Sequence, residues 1–321
     1  MTEENAINTA LGKQSAAGLG RTLIHEHALV GFPGWFLDSR QPSFKREDAL
    51  SRVVDAFQQL KDYGVQTIVD PCPADLGRDV ALYAEISQRS GMNVVCATGL
   101  YYEEAGLTYT PAHLEQQELA EIFQKEIEDG VGETGVRPGV IKIATGKGHI
   151  TPYEDKVLRA AAEAAARTGV PVLSHTQNCT CGHEQIDIIC DHVSPQHFIV
   201  GHSDGTDDLS YQESLLERGV FIGFDRFGIE TIIPDATRIK NMMALIEKGY
   251  RDQIMMSHDY VVCWQGCPPG VSSAEALSEI LPNWRLTHIF ENIIPQLRAA
   301  GLSAEDIDHI LIDNPRRFFA H

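Results

Sequence analysis

The stretch Arg21-Thr-Leu-Ile-His-Glu-His-Ala-Leu-Val30 contains two histidines separated by one residue within an apolar run. Successive side chains of a β-strand leave opposite faces, so His25 and His27 would project from one face and Glu26 from the other. Two imidazoles on the same face suit the binding of one metal ion. The stretch therefore predicts a strand that carries part of a metal site.

Four more side chains with metal-binding chemistry follow, each near the end of an apolar run. They are Lys142 in Gly-Val-Ile-Lys-Ile-Ala, His175 in Val-Pro-Val-Leu-Ser-His, His202 in Phe-Ile-Val-Gly-His and Asp259 in Ile-Met-Met-Ser-His-Asp. A protonated lysine offers no lone pair, so Lys142 must be modified before it can bind a cation. A buried lysine with a lowered pKa reacts with carbon dioxide to give a carbamate, whose two oxygens can bridge two cations. The alternative is a buried ion pair between Lys142 and Asp259.

Apolar, β-rich runs alternate with helix-like segments along the whole chain. We expect eight strands, at Thr22–His27, Val65–Asp70, Asn93–Thr98, Gly139–Ala144, Val170–His175, His197–His202, Val220–Phe224 and Gln253–Asp259. Eight βα units favour an α/β fold, a single (β/α)8 barrel, and no Gly-rich dinucleotide-binding sequence indicates an open doubly wound sheet. Such barrels carry their active sites at the C-terminal ends of the strands, where the six candidate ligands lie.

The chain contains no low-complexity tract or linker, so we expect one domain over residues 1–321. Several predicted helices end on a glycine directly before the next strand, as at Gly64 and Gly169, which is typical of a helix stop. The longest stretch without a clear pattern, Val261 to Pro282, follows the eighth strand. We expect it to be an irregular loop over the mouth of the barrel.

The net charge of −19 disfavours a nucleic-acid partner, because such binding depends on lysines and arginines that neutralise phosphates. No apolar run approaches the roughly 20 residues that a membrane-spanning helix needs. The polar start lacks the pattern of a signal peptide, so a cytoplasmic location is expected.

The seven cysteines fit a reducing compartment better than a disulfide framework. We expect Cys263 and Cys267 to be unpaired thiols, with a disulfide or a metal site as the alternatives.

Five motifs spread over nearly the whole chain form a specific combination. They are Gly-Arg-Thr-Leu-Ile-His-Glu-His from residue 20, Val-Ile-Lys-Ile from 140, Gly-His-Ser-Asp-Gly-Thr-Asp-Asp from 201, Ser-His-Asp-Tyr from 257 and Asn-Pro-Arg-Arg-Phe-Phe from 314. In this combination the chain resembles the phosphotriesterase family of the amidohydrolase superfamily, and most closely its phosphotriesterase-like lactonases.

The resemblance implies a centre of two divalent cations in a homodimeric hydrolase. The more buried cation would be held by His25, His27 and Asp259, the more exposed one by His175 and His202, and both would be bridged by N6-carboxylated Lys142 and a hydroxide. Zinc suits these ligands best, with cobalt, manganese and iron as alternatives. The cations would lower the pKa of the bridging water and polarise the substrate. Asp259 is then the natural acceptor for the proton of the hydroxide.

Two positions favour lactones over phosphotriesters as substrates. Tyr101 follows the third strand and Arg226 the seventh, as in the lactonases, whereas the phosphotriesterases carry tryptophan and histidine there. We therefore expect Tyr101 and Arg226 to act in catalysis, Tyr101 by donating a hydrogen bond to the lactone. The alternatives are that Tyr101 or its neighbour Tyr102 only packs the barrel rim, and that Arg226 only pairs with Asp225.

Trp264 offers apolar surface for an acyl tail, and with Tyr101, Tyr102 and Arg226 it completes the predicted substrate pocket. We expect N-acyl-homoserine lactones or related hydrophobic lactones as substrates, hence quorum quenching, with possible organophosphate hydrolysis. The alternatives are a phosphotriesterase, a carboxylesterase or amidohydrolase, and a non-catalytic metal-containing binding protein.

A second metal site at Cys179, Cys181 and His183 is disfavoured, since a tetrahedral site needs a fourth ligand.

Overall fold

The computed structural model describes residues 6–39 and 41–320, and most of its strands form one parallel sheet. A short antiparallel hairpin of β1 (Ala6–Thr9) and β2 (Gly12–Ser15) precedes this sheet. The sheet has eight strands, in the spatial order β3 (Arg21–Leu23), β5 (Val65–Asp70), β6 (Asn93–Gly99), β7 (Val140–Thr145), β8 (Val172–Thr176), β9 (Phe198–Val200), β10 (Phe221–Phe224) and β11 (Ile254–Met256). Every strand therefore lies beside its sequence neighbour, as in a barrel.

The first and last strands of the sheet also meet, through two short continuations. These are β4 (His27–Val30) and β12 (Val261–Trp264), which pair in parallel. Below them, the backbone amide of Asp259 donates to the carbonyl of His25 at 3.0 Å. The sheet thus closes on itself, and the predicted (β/α)8 barrel is confirmed.

The prediction of one continuous strand over Thr22–His27 is wrong, because the chain leaves the ladder between β3 and β4. The His25 amide donates to the Ser257 hydroxyl at 2.9 Å instead of to a strand carbonyl. The eighth strand, predicted at Gln253–Asp259, is interrupted in the same way between β11 and β12. These two breaks lie beside each other, and they are where His25 and Asp259 enter the centre of the barrel.

Helices follow the strands and pack around the sheet. They are α1 (Arg46–Leu60), α2 (Val80–Ser90), α3 (Tyr109–His113), α4 (Gln116–Asp129), α5 (Pro152–Thr168), α6 (Gly182–Ile189), α7 (Leu209–Leu216), α8 (Asp235–Glu247), α9 (Ala274–Ile280), α10 (Ile294–Ala299), α11 (Ala304–Asp308) and α12 (Asn314–Phe319). The predicted glycine stops are confirmed at Gly64 and Gly169, with φ of 76° and 75°. None of the helices in the described part of the chain is long and apolar enough to cross a membrane.

The prediction that Val261 to Pro282 is an irregular loop is also wrong. Its first residues form β12, whose partner β4 lies more than 200 residues earlier in the sequence. Its later part forms α9, which begins where the Ser273 hydroxyl accepts the amide of Ala276 at 3.2 Å. The long-range partner of β12 could not be recognised from local sequence pattern.

Two apolar cores fix the barrel. The larger core lies between the sheet and the surrounding helices. The smaller one fills the barrel interior with one or two residues from most strands, among them Val69, Leu173 and Met255. Ile7 of the hairpin and Phe318 of α12 join this inner core. A packed interior leaves only the C-terminal end of the barrel free for a polar centre.

Candidate active site

A cavity of about 390 Å³ opens at the C-terminal ends of the strands. It is lined by all ten residues that the sequence analysis selected: His25, His27, Tyr101, Tyr102, Lys142, His175, His202, Arg226, Asp259 and Trp264. These residues come from strand ends distributed around the whole barrel. The closed sheet therefore brings the predicted site residues together at one place.

Asp259 lies at the centre of the polar cluster. Its Oδ1 atom is 3.3 Å from the Nε2 atoms of both His25 and His27. Its Oδ2 atom is 3.8 Å from Nε2 of His202 and accepts a hydrogen bond from Nε of Arg226 at 3.1 Å. One carboxylate thus connects three predicted metal ligands with the predicted catalytic arginine.

Lys142 is 1% exposed, and its Nζ lies 3.0 Å from Nε2 of His25. Burial lowers the pKa of Lys142 to about 8, against the attraction of Asp259 and Asp225. Among the described residues no carboxylate lies within ion-pair distance of Nζ, so the alternative of a direct pair with Asp259 is wrong. The amine is buried beside the histidines with its charged form destabilised.

Three of the four histidines are held from behind by carboxylates. Asp225 places Oδ2 at 3.0 Å from Nδ1 of His25 and Oδ1 at 2.9 Å from Nδ1 of His202. Asp70 places Oδ1 at 3.1 Å from Nδ1 of His27. In each case Nδ1–H donates to the carboxylate, which turns Nε2 toward the centre.

The fourth histidine, His175, is turned the other way. Its Nε2 lies 2.8 Å from Oε1 of Gln177, and its Nδ1 lies 3.2 Å from the hydroxyl of Tyr101. The side chain behind this ring is thus an uncharged amide. The ring stacks on Tyr102, with the centroids 5.3 Å apart.

Sequence reasoning did not select Asp70, Asp225 or Gln177. Asp70 ends β5 and Asp225 directly follows β10, so each is a polar residue at the C-terminal end of a barrel strand. That position is a usable signal for both. Gln177 has no comparable signal, since only the orientation of the His175 ring reveals its contact.

The protonation of the cluster fits a set of metal ligands. Burial, assisted by Lys142, lowers the pKa of His25 to about 3, and burial likewise lowers the pKa of His175 and His202. Burial opposes ionisation of Asp259, but the neighbouring His202 and His25, the hydrogen bond from His27 and the charge of Arg226 outweigh it and hold the pKa of this carboxyl well below its usual value. Neutral imidazoles and a carboxylate are the donors that divalent metals such as zinc bind.

His27 differs, because two carboxylates flank its ring. Burial lowers the pKa of His27, but the hydrogen bonds to Asp259 and Asp70 outweigh burial and raise it well above the usual value. Positive charge is therefore favoured between His27 and Asp259. His25, His27 and Asp259 also bring their ligand atoms within 4.8 Å of one another, which is close enough to share one ion.

Tyr101 and Arg226 touch the cluster directly. Both carboxylate oxygens of Asp75 accept the backbone amide of Tyr101, at 3.0 and 3.1 Å, which holds its ring over His175. Barrel-rim packing alone does not describe this placement. The alternative that Arg226 only pairs with Asp225 is wrong, because the Arg226 side chain bonds Asp259 while Asp225 accepts from two histidines.

Two predicted ligands have strained backbones. His202 and Asp259 lie in the left-handed region, with φ of 59° and 55°. Such conformations cost roughly 1 kcal/mol or more for residues other than glycine, and they concentrate at functional sites. The surrounding hydrogen bonds offset this cost in order to direct the two side chains into the cavity.

The seven cysteines bear on two further predictions. All seven cysteines are free, so Cys263 and Cys267 form no disulfide. Cys179 Sγ donates to the carbonyl of His202 at 3.1 Å, and His183 Nε2 lies 3.0 Å from the Ser214 hydroxyl. Cys179, Cys181 and His183 are not among the potential metal-binding groups of the described residues.

The sequence model of the phosphotriesterase family matches residues 5–319. The chain belongs to the phosphotriesterase family. It is 33% identical over 317 residues to an aryldialkylphosphatase of Saccharolobus solfataricus, with 97% of this chain and 98% of that protein covered. The family prediction made from the five motifs is thereby confirmed.

Solved structures of the phosphotriesterase family have the same fold. The organophosphorus hydrolase of Deinococcus radiodurans is 36% identical, with a TM-score of 0.93 over 99% of this chain and 98% of that chain. A mutant of the phosphotriesterase-like lactonase of the same organism is 36% identical, with a TM-score of 0.92 over 98% and 99%. The protein is accordingly a hydrolase of this family, and its buried histidine and carboxylate groups agree with metal dependence.

Proposed function

We propose that the protein hydrolyses neutral, hydrophobic lactones, with N-acyl-homoserine lactones as the first class to test. The observation that carries the proposal is the Tyr101 hydroxyl, which lies 3.2 Å from Nδ1 of His175 at the floor of a largely apolar cavity. A hydrogen-bond donor at that point can stabilise charge that develops on the ester oxygens of a lactone.

The donor set supports two divalent cations, with zinc as the first candidate. His25, His27 and Asp259 would hold one, His175 and His202 the other, and N6-carboxylated Lys142 would join them. Bound cations would supply an activated water and polarise the substrate carbonyl. The lowered pKa of Lys142 supports the modification, because it leaves more of the amine unprotonated near neutral pH. The amine nitrogen attacks the carbon of CO2, and the displaced N–H proton leaves to solvent.

Asp259 is the proposed proton acceptor. Its pKa is held well below the usual value by His202 and His25, against burial, so it is ionised near neutral pH. Arg226 fixes the carboxylate through the 3.1 Å bond from Nε to Oδ2. Burial raises the pKa of Tyr101 well above its usual value, so this phenol stays protonated and acts as a donor.

The charges of the cavity favour an uncharged substrate. Lys142 and Arg226 are the only lysine and arginine among the described residues that line it. Both are committed to the polar centre, Lys142 beside His25 and Arg226 on Asp259. A substrate that carries a phosphate or sulfonate would find no free lysine or arginine among these described residues, and burying such a charge unpaired is costly.

The outer part of the cavity supports an acyl tail. Trp264, Pro268, Leu277 and Trp284 line it, which provides apolar contact beyond the reacting centre. Each methylene buried there contributes about 0.8 kcal/mol. Turnover should therefore improve with chain length until the cavity is filled. Organophosphates with aryl leaving groups would use the same surface, as a secondary activity.

The test compares substrates on one metal-loaded preparation. We expect kcat/KM for octanoyl-homoserine lactone to exceed that for paraoxon and for p-nitrophenyl acetate by more than about 10-fold, a difference of 1.4 kcal/mol in transition-state binding. Asp259→Asn is the inactive control. Strong paraoxon turnover beside negligible lactone turnover would refute the proposal in favour of a phosphotriesterase.

The assembly and location are further proposals. We propose one domain over residues 1–321, a homodimer, and a cytoplasmic location in keeping with seven free thiols. Light scattering of the purified protein should give twice the chain mass of 35.4 kDa. A monomer at micromolar concentration would exclude the dimer.

A further inference from the structure

His175 is the one histidine of the cluster whose outer nitrogen contacts no carboxylate among the described residues. Gln177 Oε1 lies 2.8 Å from its Nε2, where the equivalent nitrogens of the other three histidines meet Asp70 or Asp225. A carboxylate behind a ligating histidine fixes the tautomer and also raises the basicity of the ligand. A neutral amide fixes the tautomer but adds no negative charge.

The glutamine is held through its side-chain amide and through its backbone carbonyl. Nε2 of Gln177 donates to Oδ1 of Asn178 at 3.4 Å, which leaves Oε1 to accept from His175. The Gln177 carbonyl in turn accepts both the hydroxyl and the amide of Thr180, at 2.7 and 3.2 Å. The glutamine is thus anchored in one orientation, and the His175 ring with it.

The turn that follows Gln177 is strained. Asn178, Cys179 and Cys181 have φ of 55°, 54° and 65°, and with His202 and Asp259 they are the non-glycine residues of the described chain with positive φ. Each such residue costs roughly 1 kcal/mol or more. Cys179 Sγ also donates to the His202 carbonyl at 3.1 Å. The strained turn therefore supports His175 through Gln177 and His202 through Cys179.

We propose that Gln177 is a positioning residue that fixes His175 with Nε2 protonated and Nδ1 directed to the centre, and that keeps the cation at His175 and His202 more weakly held than the cation at His25 and His27. The inference rests on the proposed function for the two cation positions. An uncharged support makes His175 the poorest donor of the four. The cation it shares would then exchange faster and accept electron density from substrate more readily.

The test is a chelator titration of the zinc-loaded protein, followed by metal analysis of the protein fraction. Gln177→Glu adds a carboxylate behind His175 and should slow release of the more weakly held zinc, which leaves first, by about 10-fold. Gln177→Leu keeps the size but removes the acceptor, and should speed that release by about 10-fold. Release of the other zinc, at His25 and His27, should change little in either variant.

A merely structural role would not produce opposite effects from these two changes. The same pair of substitutions at Gln117 on α4, whose side chain bonds Glu121 at 3.0 Å on the surface, is the matched control. The cobalt-loaded protein gives an independent measurement, since the visible absorption of the more weakly held cobalt should change in the Gln177 variants only. Circular dichroism checks that each variant is folded.

The outcomes separate this inference from the proposed function. Equal release from the wild type and both Gln177 variants, or faster release from both, overturns the role of Gln177 even if lactones are hydrolysed. The order Glu slower than Gln slower than Leu supports it even if lactones are not hydrolysed. A wild-type protein that retains only one zinc after loading overturns the inference together with the binuclear centre.

Discussion

Two sides of one cluster hold similar histidines by different means. The carboxylate-backed side consists of three histidines and the two acids behind them, His25, His27, His202, Asp70 and Asp225. The amide-backed side consists of His175, Gln177 and Tyr101. Charge behind a ligand strengthens it, whereas a neutral support only orients it. The four predicted histidine ligands at the strand ends are thus not equivalent.

The acids on the two sides also differ. Burial opposes ionisation of Asp225, but His202 and His25 outweigh it and hold the pKa of this carboxyl well below its usual value. For Asp75, which holds the Tyr101 backbone, burial outweighs the Tyr101 amide and the charge of Arg78 and raises the pKa to about 6. Negative charge is therefore stabilised on one side of the cluster and destabilised near the other.

The largest effect should come from Asp225→Asn. An amide offers one acceptor oxygen, so it cannot accept Nδ1–H from both His25 and His202 as the carboxylate does. Each lost support of this type costs about 10- to 100-fold in metal affinity or activity. We expect a fall of about 100-fold or more in kcat/KM, with zinc lost in dialysis. Retention of both zinc ions would contradict the comparison.

Asp70→Asn should have a smaller effect, because Asp70 supports His27 alone. Its other contacts are the amides of Ala28 and Cys72, at 2.7 and 3.0 Å, and an asparagine oxygen can keep one of them. We expect about a 10-fold loss of zinc affinity, measured by competition with a chromogenic chelator. An effect as large as that of Asp225→Asn would mean that the loss of zinc affinity does not depend on the number of histidines that the carboxylate supports.

Tyr101→Phe tests the amide-backed side without changing the charge. The ring should stay in place, since its position depends on the backbone bond to Asp75 and on contact with His175. Loss of one hydrogen bond of about 1 kcal/mol should lower kcat on lactones by about 5-fold. Zinc content should not change. If zinc is lost with the hydroxyl, Tyr101 supports His175 rather than the substrate.

The smallest effect should be on stability, through Asp75. Its pKa rises from 3.8 in the unfolded chain to about 6 in the fold, so stability is fully present below pH 3.8 and is lost as the pH rises through 6. Asp75→Asn keeps an acceptor for Tyr101 and removes this cost. Because the side chain is only partly buried, we expect a gain of about 1 kcal/mol at pH 8 and almost none at pH 4.

Urea unfolding of the metal-free protein at both pH values measures this difference. Thr108→Ser, a small change elsewhere on the C-terminal side of the barrel, serves as the control. A gain of equal size at pH 4 and pH 8 would show that the carboxylate charge is not the cause. A loss at pH 8 would mean that Asp75 is stabilised as an anion, like Asp225.

Much of the fold follows from local pattern. The eight apolar runs, and the helices between them, are encoded by periodicity and by glycine stops such as Gly64. The breaks beside His25 and Asp259, and the strand β12, could not be predicted because they depend on partners more than 200 residues away. The carboxylates that support the histidines are also distant from them in sequence, as the contact of Asp225 with His25 illustrates.

The sequence by itself determined the barrel, the family and the set of side chains that meet at its C-terminal end, because strand ends of a closed parallel sheet converge whatever the loops do. Only the tertiary structure decided which nitrogen of each histidine points inward, and whether a carboxylate or an amide lies behind it. The physical reason is that hydrogen-bond partners across the barrel are set by ring orientation and distance. Neither is a property of any local stretch of chain.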